Sequence, residues 1–187
     1  GLFPFRDSLI IFCEERIFKL VGNSIADFQL LPVSRNVGCM NGFTIQEFAG
    51  DVVFLARDGL RTIAGTERIG DVELGSISTP VHQLFNTYSN ISEFDSLIVP
   101  DKTQYRIFFC DTDARTKART KGVICHRTEQ GYEFSETLGI QPSCTDHIND
   151  DGVVYITHGG YDGYIYRQEQ GSTFDGTTII GRYRSPD

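Results

Sequence analysis

The sequence predicts an all-β fold, a β-propeller or part of one, built from antiparallel hairpin blades with one short helix. Short runs of β-branched and aromatic residues alternate with turns rich in Asp, Asn and Gly. These runs pair into hairpins that begin near positions 9, 52, 104 and 153. A unit that recurs about every 40–50 residues is typical of propeller blades, which stack face to face because one small sheet cannot cover both of its own faces. We expect residues 1–187 to form a single propeller-like domain.

The first two hairpins lie in the N-terminal third of the chain. In the first, residues 8–13 (SLIIFC) turn and return as residues 16–20 (RIFKL). In the second, residues 52–55 (VVFL) and 60–63 (LRTI) flank a turn that contains Asp58-Gly59. Asp-Gly is a strong hairpin signal, because a tight two-residue turn requires positive φ angles.

Two further hairpins follow in the second half. Residues 104–109 (QYRIFF) enter a polar stretch and return as residues 122–126 (GVICH), which gives a hairpin with a long loop. Residues 153–156 (VVYI) and 164–166 (YIY) flank a glycine-rich turn. Both pairs combine β-branched or aromatic runs with turn residues and therefore indicate strands.

One helix is expected, between Leu74 and Phe85. The segment 78–80 (STP) offers an N-cap and a proline near the first turn, and apolar residues follow on one face. The architectural alternative to a propeller is a plain β-sandwich. In a sandwich, turns usually come every 8–12 residues, whereas the hairpin units found here recur about every 40–50 residues.

Charge and hydropathy exclude some functions. The formal net charge is −8, so tight binding to nucleic acid is not expected from counterion release. A repulsive wall would suit a conduit that must not hold its cargo. No stretch approaches the roughly 20 apolar residues that a membrane-spanning helix needs, and no membrane span is predicted.

One basic run stands out in this acidic chain, over residues 113–122. A solvated hairpin loop is one interpretation. The other is a finger that touches DNA phosphate or the acidic face of a neighbouring subunit. The candidate contact residues are Arg115, Lys117, Arg119 and Lys121.

The five cysteines are odd in number and form no C-x-x-C pair. Cys13 and Cys110 lie in apolar strand runs, where a free thiol behaves as a small hydrophobic group, so we expect both to be reduced and buried. Synthesis in a reducing compartment, such as bacterial cytoplasm, fits this usage.

No catalytic, cofactor-binding or metal-binding set is predicted, and the chain is not expected to be an enzyme. The acidic turns at 111–113 and 149–152 lack the spacing of a calcium loop. Cys144, His147 and His158 could supply three zinc ligands, but the fourth is missing and the spacing matches no common site.

Several strand and turn segments resemble the tail nozzle family (tail tubular protein B) of short-tailed bacteriophages, and also the related packaged-DNA stabilisation proteins. The longest of them is 51–75, DVVFLARDGLRTIAGTERIGDVELG. The others are residues 5–14, 38–39, 105–109, 158–166, 174–176 and 183–186. Together they touch nearly the whole chain.

The resemblance implies a structural virion protein located in the phage tail and made in the cytoplasm of a bacterial host. Six identical subunits would form a ring below the portal and adaptor, with tail fibre proteins as further partners. Double-stranded DNA would be retained by this channel and ejected through it without tight binding. Family members are several times longer, so we expect this chain to be a segment of a longer protein.

Two alternative functions remain open. The first is a propeller-type glycosidase or depolymerase, for which we expect an acidic pair in a pocket with one raised pKa. The second is a propeller binding module for a protein or sugar, for which we expect an exposed aromatic patch at one rim.

Overall fold

The computed structural model describes residues 1–64, 76–85, 93–110, 119–174 and 176–179. Over these residues the chain is all-β, as predicted. Its strands form antiparallel sheets in which the order across each sheet follows the order along the chain. Each sheet is therefore a simple meander, with no crossover between its strands.

Sheet 1 contains β1 (Leu2–Phe5), β2 (Ser8–Phe12), β3 (Ile17–Val21) and β4 (Gln29–Ser34) in the order β1-β2-β3-β4. The pairing of β2 with β3 confirms the first predicted hairpin. The flanking strands β1 and β4 were not predicted.

Sheet 2 contains β5 (Gln46–Phe48), β6 (Asp51–Ala56) and β7 (Gly59–Thr62). The second predicted hairpin is confirmed by the pairing of β6 with β7. Gly59 has a φ of +118°, and a Cβ atom placed there would lie 2.2 Å from the Oγ atom of Ser78. Both the backbone angle and the close approach therefore require glycine.

Sheet 3 contains β8 (Asp95–Val99), β9 (Gln104–Cys110), β10 (Arg119–Thr128) and β11 (Gly131–Leu138). The pairing of β9 with β10 confirms the third hairpin. Its connecting loop, residues 111–118, lies outside the described residues.

Sheet 4 contains β12 (Cys144–Asp150), β13 (Val153–Gly159) and β14 (Ile165–Arg167). The fourth predicted hairpin is confirmed in outline, because β13 pairs with β14 through residues 157–159 and 165–167. The predicted strand residues 153–156 pair instead with β12, and the turn lies about two residues later than predicted. A small hairpin follows, formed by β15 (Thr173–Phe174) and β16 (Thr177–Thr178).

The predicted helix is present in a shorter form than expected. A 3-10 turn at Thr79–Val81 leads into α1 (His82–Phe85), while residues 74 and 75 lie outside the described residues. None of the helices in the described parts of the chain has both the length and the apolar character that a membrane crossing needs.

Sheets 1 and 2 pack face to face through an apolar core. Ile10 and Phe12 of β2 meet Val52 and Phe54 of β6, and the rings of Phe12 and Phe54 lie 5.2 Å apart. Side chains alternate between the two faces of a strand, so this core takes every second residue of β2 and β6. The remaining buried members are Ile17, Val37, Cys39, Ile45, Ala56 and Ile63.

The opposite face of sheet 2 packs on sheet 3. Val53 and Leu55 of β6 join a core with Tyr105 of β9, whose hydroxyl donates a hydrogen bond of 2.9 Å to the backbone oxygen of Thr44. Burial raises the pKa of Tyr105, which therefore stays protonated and can donate. The other buried members are Phe48, Leu60, Phe85, Phe94, Ile107, Phe109, Val123 and Cys125.

Sheet 3 uses its second face to contact sheet 4. Leu97, Val99 and Phe108 form a small apolar cluster with Ile156 of β13. The four sheets are thus stacked in series, and sheets 2 and 3 are buried on both faces.

A buried charge adds to the contact between sheet 3 and the segment that follows sheet 4. Arg106 of β9 is 4% exposed, and one of its terminal nitrogens lies 2.6 Å from Glu169. Burial acts to raise the pKa of Glu169, but hydrogen bonds from Lys102 and Arg106 outweigh burial and hold this pKa below its ordinary value. The paired carboxylate therefore stays ionised beside the guanidinium.

The first strands of sheets 2, 3 and 4 lie next to each other. β8 contacts both β5 and β12. The Gln46 side-chain nitrogen donates to the backbone oxygen of Ser96 at 3.0 Å, and the Thr145 hydroxyl donates to Asp95 at 2.9 Å. The sheets begin at positions 2, 46, 95 and 144, again about 40–50 residues apart.

The prediction that Cys13 is buried is wrong, because Cys13 is exposed. β2 ends at Phe12, whose side chain takes the last inward position, and Cys13 begins the surface turn that follows. The buried free thiols are instead Cys39 and Cys125, and burial raises the pKa of Cys125 to about 12. The side chain of Cys110 lies outside the described part of the structure.

A buried guanidinium anchors the turn between β6 and β7. Arg61 is 1% exposed, and its Nε atom donates to the Asp58 carboxylate at 2.9 Å. A charge so fully removed from water is tolerated only when it is paired. A matched surface pair is available in Arg57 and Glu15, which are 3.3 Å apart and largely exposed.

We expect Asp58→Asn to lower the free energy of unfolding by about 3 kcal/mol, because it leaves the Arg61 charge buried without a counter-charge. Asparagine suits the turn as well as aspartate does, so the change isolates the charge. The control, Glu15→Gln, should change stability by less than about 0.5 kcal/mol. Urea denaturation of both variants checks this expectation, and equal effects would contradict it.

Candidate functional site

The candidate site is a cleft of about 390 Å³ beside sheet 4. This volume falls within the range of small-molecule sites. β13 contributes His158, β14 contributes Tyr166, and the turn between these strands contributes Gly160, Tyr161 and Asp162. The opposite wall is the segment Gly139, Ile140 and Gln141, which follows β11.

Local sequence explains how the turn over residues 160–164 forms. The backbone N–H of Gly160 donates to the oxygen of Tyr164 at 2.8 Å, which closes the turn. Asp162 accepts a hydrogen bond of 3.2 Å from the backbone N–H of Tyr164, an arrangement typical of aspartate in turns. Gly163 has a φ of +89°, which favours glycine at that position.

The side chains of the cleft hold each other in place. The rings of His158 and Tyr166 are stacked, with centroids 5.2 Å apart and an interplanar angle of 21°. His158 and Tyr166 are cross-strand partners, so the sheet register itself produces this stack. The Tyr166 hydroxyl then donates a hydrogen bond to the Asp162 carboxylate.

The described residues that line the cleft include one carboxylate, that of Asp162, and no lysine or arginine. The hydrogen bond from Tyr166 is the main cause that lowers the pKa of Asp162, so this carboxylate is ionised. Burial lowers the pKa of His158, with the Asp162 charge acting in the opposite direction, so the imidazole is neutral. The Nδ1 atom of His158 is buried and has no hydrogen-bond partner within the described residues.

Two exposed tyrosines lie at or near the cleft. Tyr161 lines it and is 50% exposed. Tyr164 is 69% exposed, and its ring lies 6.5 Å from the ring of Tyr166. Tyrosine combines a large apolar face with a polar tip, and clusters of exposed tyrosines are typical of binding surfaces. The cleft thus combines aromatic side chains with one carboxylate, a combination suited to holding a ligand.

The predicted basic contact residues are only partly described. Arg115 and Lys117 lie outside the described residues. Arg119 is the first residue of β10, and its side chain is also outside the described part. Lys121 lies in β10 with a half-buried side chain, and a β-bulge separates it from Arg119.

The zinc alternative receives no support from the described residues. Cys144 and His158 lie at neighbouring positions of paired strands, but His147 pairs with Ile156 further along β12. Within the described ranges no three His, Cys, Asp or Glu side chains lie close enough to hold a metal ion. The acidic segment 111–113 is outside these ranges.

The glycosidase alternative required a carboxylic acid with a raised pKa in a pocket. The three described carboxyl groups with a clear shift are Asp27, Asp162 and Glu169, and the pKa of each is lowered. The described carboxylates therefore give that alternative no support.

A second surface feature is the outer face of sheet 1. Cross-strand partners share a face, and the face opposite Ile10 contains two rows of four residues. All eight are apolar, and Leu2 and Leu30 are more than half exposed. The rows are Leu2, Ile11, Phe18 and Pro32, and Pro4, Leu9, Leu20 and Leu30.

Comparisons with models of protein families and with curated proteins give no match to this chain.

Sequence reasoning did not identify the cleft as a site. Its strand and turn residues all fall within the segment 158–166, which was interpreted only as part of a hairpin and as a resemblance to the nozzle family. The feature of the sequence that could have indicated a site is the concentration of Tyr, Asp and His around three glycines in that segment. The wall formed by residues 139–141 had no signal, because only the tertiary fold brings it to the turn.

We expect Tyr166→Phe to raise the pKa of Asp162 toward the ordinary value of about 3.9, because the variant removes the main hydrogen bond to the carboxylate. A depressed pKa stabilises the fold above the unfolded pKa, and this contribution disappears as the pH falls through the folded value. The variant should therefore lose less stability on acidification than the unmodified protein does. Carboxyl NMR titration measures the pKa, and Tyr155→Phe on the other face of sheet 4 is the control.

Proposed function

We propose that this chain is a structural virion protein of a phage tail nozzle, in which its stacked sheets form part of a β-propeller. Six subunits would form a ring around the channel that retains and ejects DNA. They would contact the portal or adaptor and the tail fibre proteins. The proposed location is the tail of the virion, and the proposed place of synthesis is the host cytoplasm.

The observation that carries the proposal is the serial stacking of four meander sheets. Their regular spacing along the chain supports a propeller, as does the contact of β8 with β5 and β12. In a propeller the first strands of neighbouring blades approach each other around the axis. The segments that resemble the nozzle family include buried parts of this stack, among them β9 and β6.

The ends of the stack support a role in assembly. Sheet 1 presents an outer face that is entirely apolar, and sheet 4 exposes large apolar side chains such as Ile148, Val153 and Ile165. Exposed apolar patches of this kind are typical of surfaces that are covered in an assembly. A building block of a larger particle has this property.

We expect self-association only in the context of the longer protein of which this chain is proposed to be a segment, so electron microscopy of that longer protein tests the ring. We expect closed rings with six-fold symmetry and a central hole. Leu20→Lys, which places a charge in the apolar face of sheet 1, should reduce the fraction of assembled particles. Lys19→Arg, on the other face of the same strand, is the matched control. Persistently monomeric protein, or rings of a different symmetry, would contradict the proposal.

DNA binding tests the conduit. We expect weak and salt-sensitive binding, because the chain is acidic and the basic run offers at most four charges. If all four met phosphates, the slope of log K against log salt would be about −3 to −4. Replacing all four basic residues at once by glutamine should remove this binding. Nanomolar affinity of the unmodified protein for DNA at physiological salt would refute the conduit. The matched control replaces four exposed arginines: Arg6, Arg16, Arg35 and Arg57.

One observation favours a second candidate function, that of a binding module. The exposed Tyr161 and Tyr164 at and near the cleft are aromatic side chains of the kind that favour this alternative. The chemistry of the cleft defines what such a module would bind.

A further inference from the structure

We propose that the cleft beside sheet 4 is a binding site for an organic cation, such as a quaternary ammonium group or the side chain of lysine or arginine. The inference rests on the residues of the cleft alone and is independent of the proposed virion role.

The charge of the cleft lining favours a cation over an anion. The lining contains one ionised carboxylate, that of Asp162, and no lysine or arginine. His158 is neutral because burial lowers its pKa. An anionic ligand, including a phosphate group, would meet an uncompensated like charge here, whereas a cation would be attracted.

The aromatic lining of the cleft also favours a cation. Tyr161 and Tyr166 both line the cleft, and the face of an aromatic ring attracts a cation through its quadrupole. Several aromatic rings around one cation, with a carboxylate nearby, are the usual arrangement for recognising alkylated ammonium groups. Sheet 4 already contains one such contact on its other face, where the Arg167 guanidinium lies 3.7 Å from the ring centre of Tyr155.

The side chains that would contact the cation are preorganised. The Tyr166 ring is fixed by its stack on His158 and by its hydrogen bond to Asp162, and the carboxylate is fixed by the backbone N–H of Tyr164. A ligand therefore meets a carboxylate and an aromatic ring that are already in position, which reduces the entropic cost of binding. The backbone at Gly139 and Gly160 and the side chain of Ile140 form walls suited to methyl or methylene groups.

The test compares two probes of the same shape that differ only in charge: choline and its neutral analogue 3,3-dimethyl-1-butanol. The protein has eight tyrosines and no tryptophan, so tyrosine emission reports binding, and NMR shifts of labelled tyrosine rings locate it. We expect choline to bind at least about tenfold more tightly than the neutral analogue. Equal affinity, or no binding of choline, would overturn the proposal.

Variants of the cleft separate charge from aromatic character. Asp162→Asn should weaken choline binding severalfold and remove most of its salt dependence. Tyr161→Leu should also weaken binding, whereas Tyr161→Phe should retain it, because phenylalanine keeps the quadrupole of the ring. Phe43→Leu, an exposed aromatic change outside the cleft, is the control. Full choline affinity in both Asp162→Asn and Tyr161→Leu would refute the site.

Further probes identify the source of the cation. The acetylated amides of lysine and arginine represent protein side chains, and choline represents a small-molecule or lipid headgroup source. Preference for any of these probes over the neutral analogue supports the cation site, and the ranking names its ligand. Preference for N-acetylglucosamine, an uncharged sugar, over all three cations would overturn it. Circular dichroism of each variant confirms that the fold is retained.

Discussion

The fold depends on the requirement that sheets 2 and 3 be covered on both faces. β6 has five consecutive buried residues, from Val52 to Ala56, and it sends alternate side chains into two separate cores. A small sheet that is apolar on both faces cannot be stable alone in water, because one face at least would stay exposed. The neighbouring sheets are therefore necessary for folding, and the stack extends in both directions from this strand.

Polar contacts define how these apolar layers are aligned. Apolar packing has little directional preference, so a register between sheets needs hydrogen bonds or ion pairs between specific atoms. The Tyr105 hydroxyl fixes sheet 3 against the turn before β5, and Arg106 fixes it against the segment after sheet 4. These two residues are neighbours in β9 and point to opposite faces, so one strand positions the layers on both of its sides.

The cleft is a consequence of that alignment. Its turn belongs to sheet 4, but its second wall is formed by residues 139–141, which follow sheet 3. The contact of Ile156 with sheet 3 brings sheet 4 against that neighbour. The ligand chemistry we infer thus depends on the stacking of sheets as well as on the local sequence of the turn, and the same stacking leaves exposed apolar side chains at both ends.

The sequence by itself determined the local structure. Alternation of apolar residues and turn signals such as Asp58-Gly59 act over a few residues, and they predicted three hairpins, the outline of the fourth and the position of the short helix. The alternating strand β11 was missed although its pattern was visible in Tyr132 and Phe134. Tertiary structure decided which faces are covered. Cys13 is exposed because β2 ends at Phe12, whereas Cys39 is buried in the core between sheets 1 and 2. Burial and the second wall of the cleft, residues 139–141, arise from groups distant in sequence, which short-range patterns do not encode. The lowered pKa of Asp162 is local by contrast, because its main causes are Tyr166 and Tyr164 in the same hairpin.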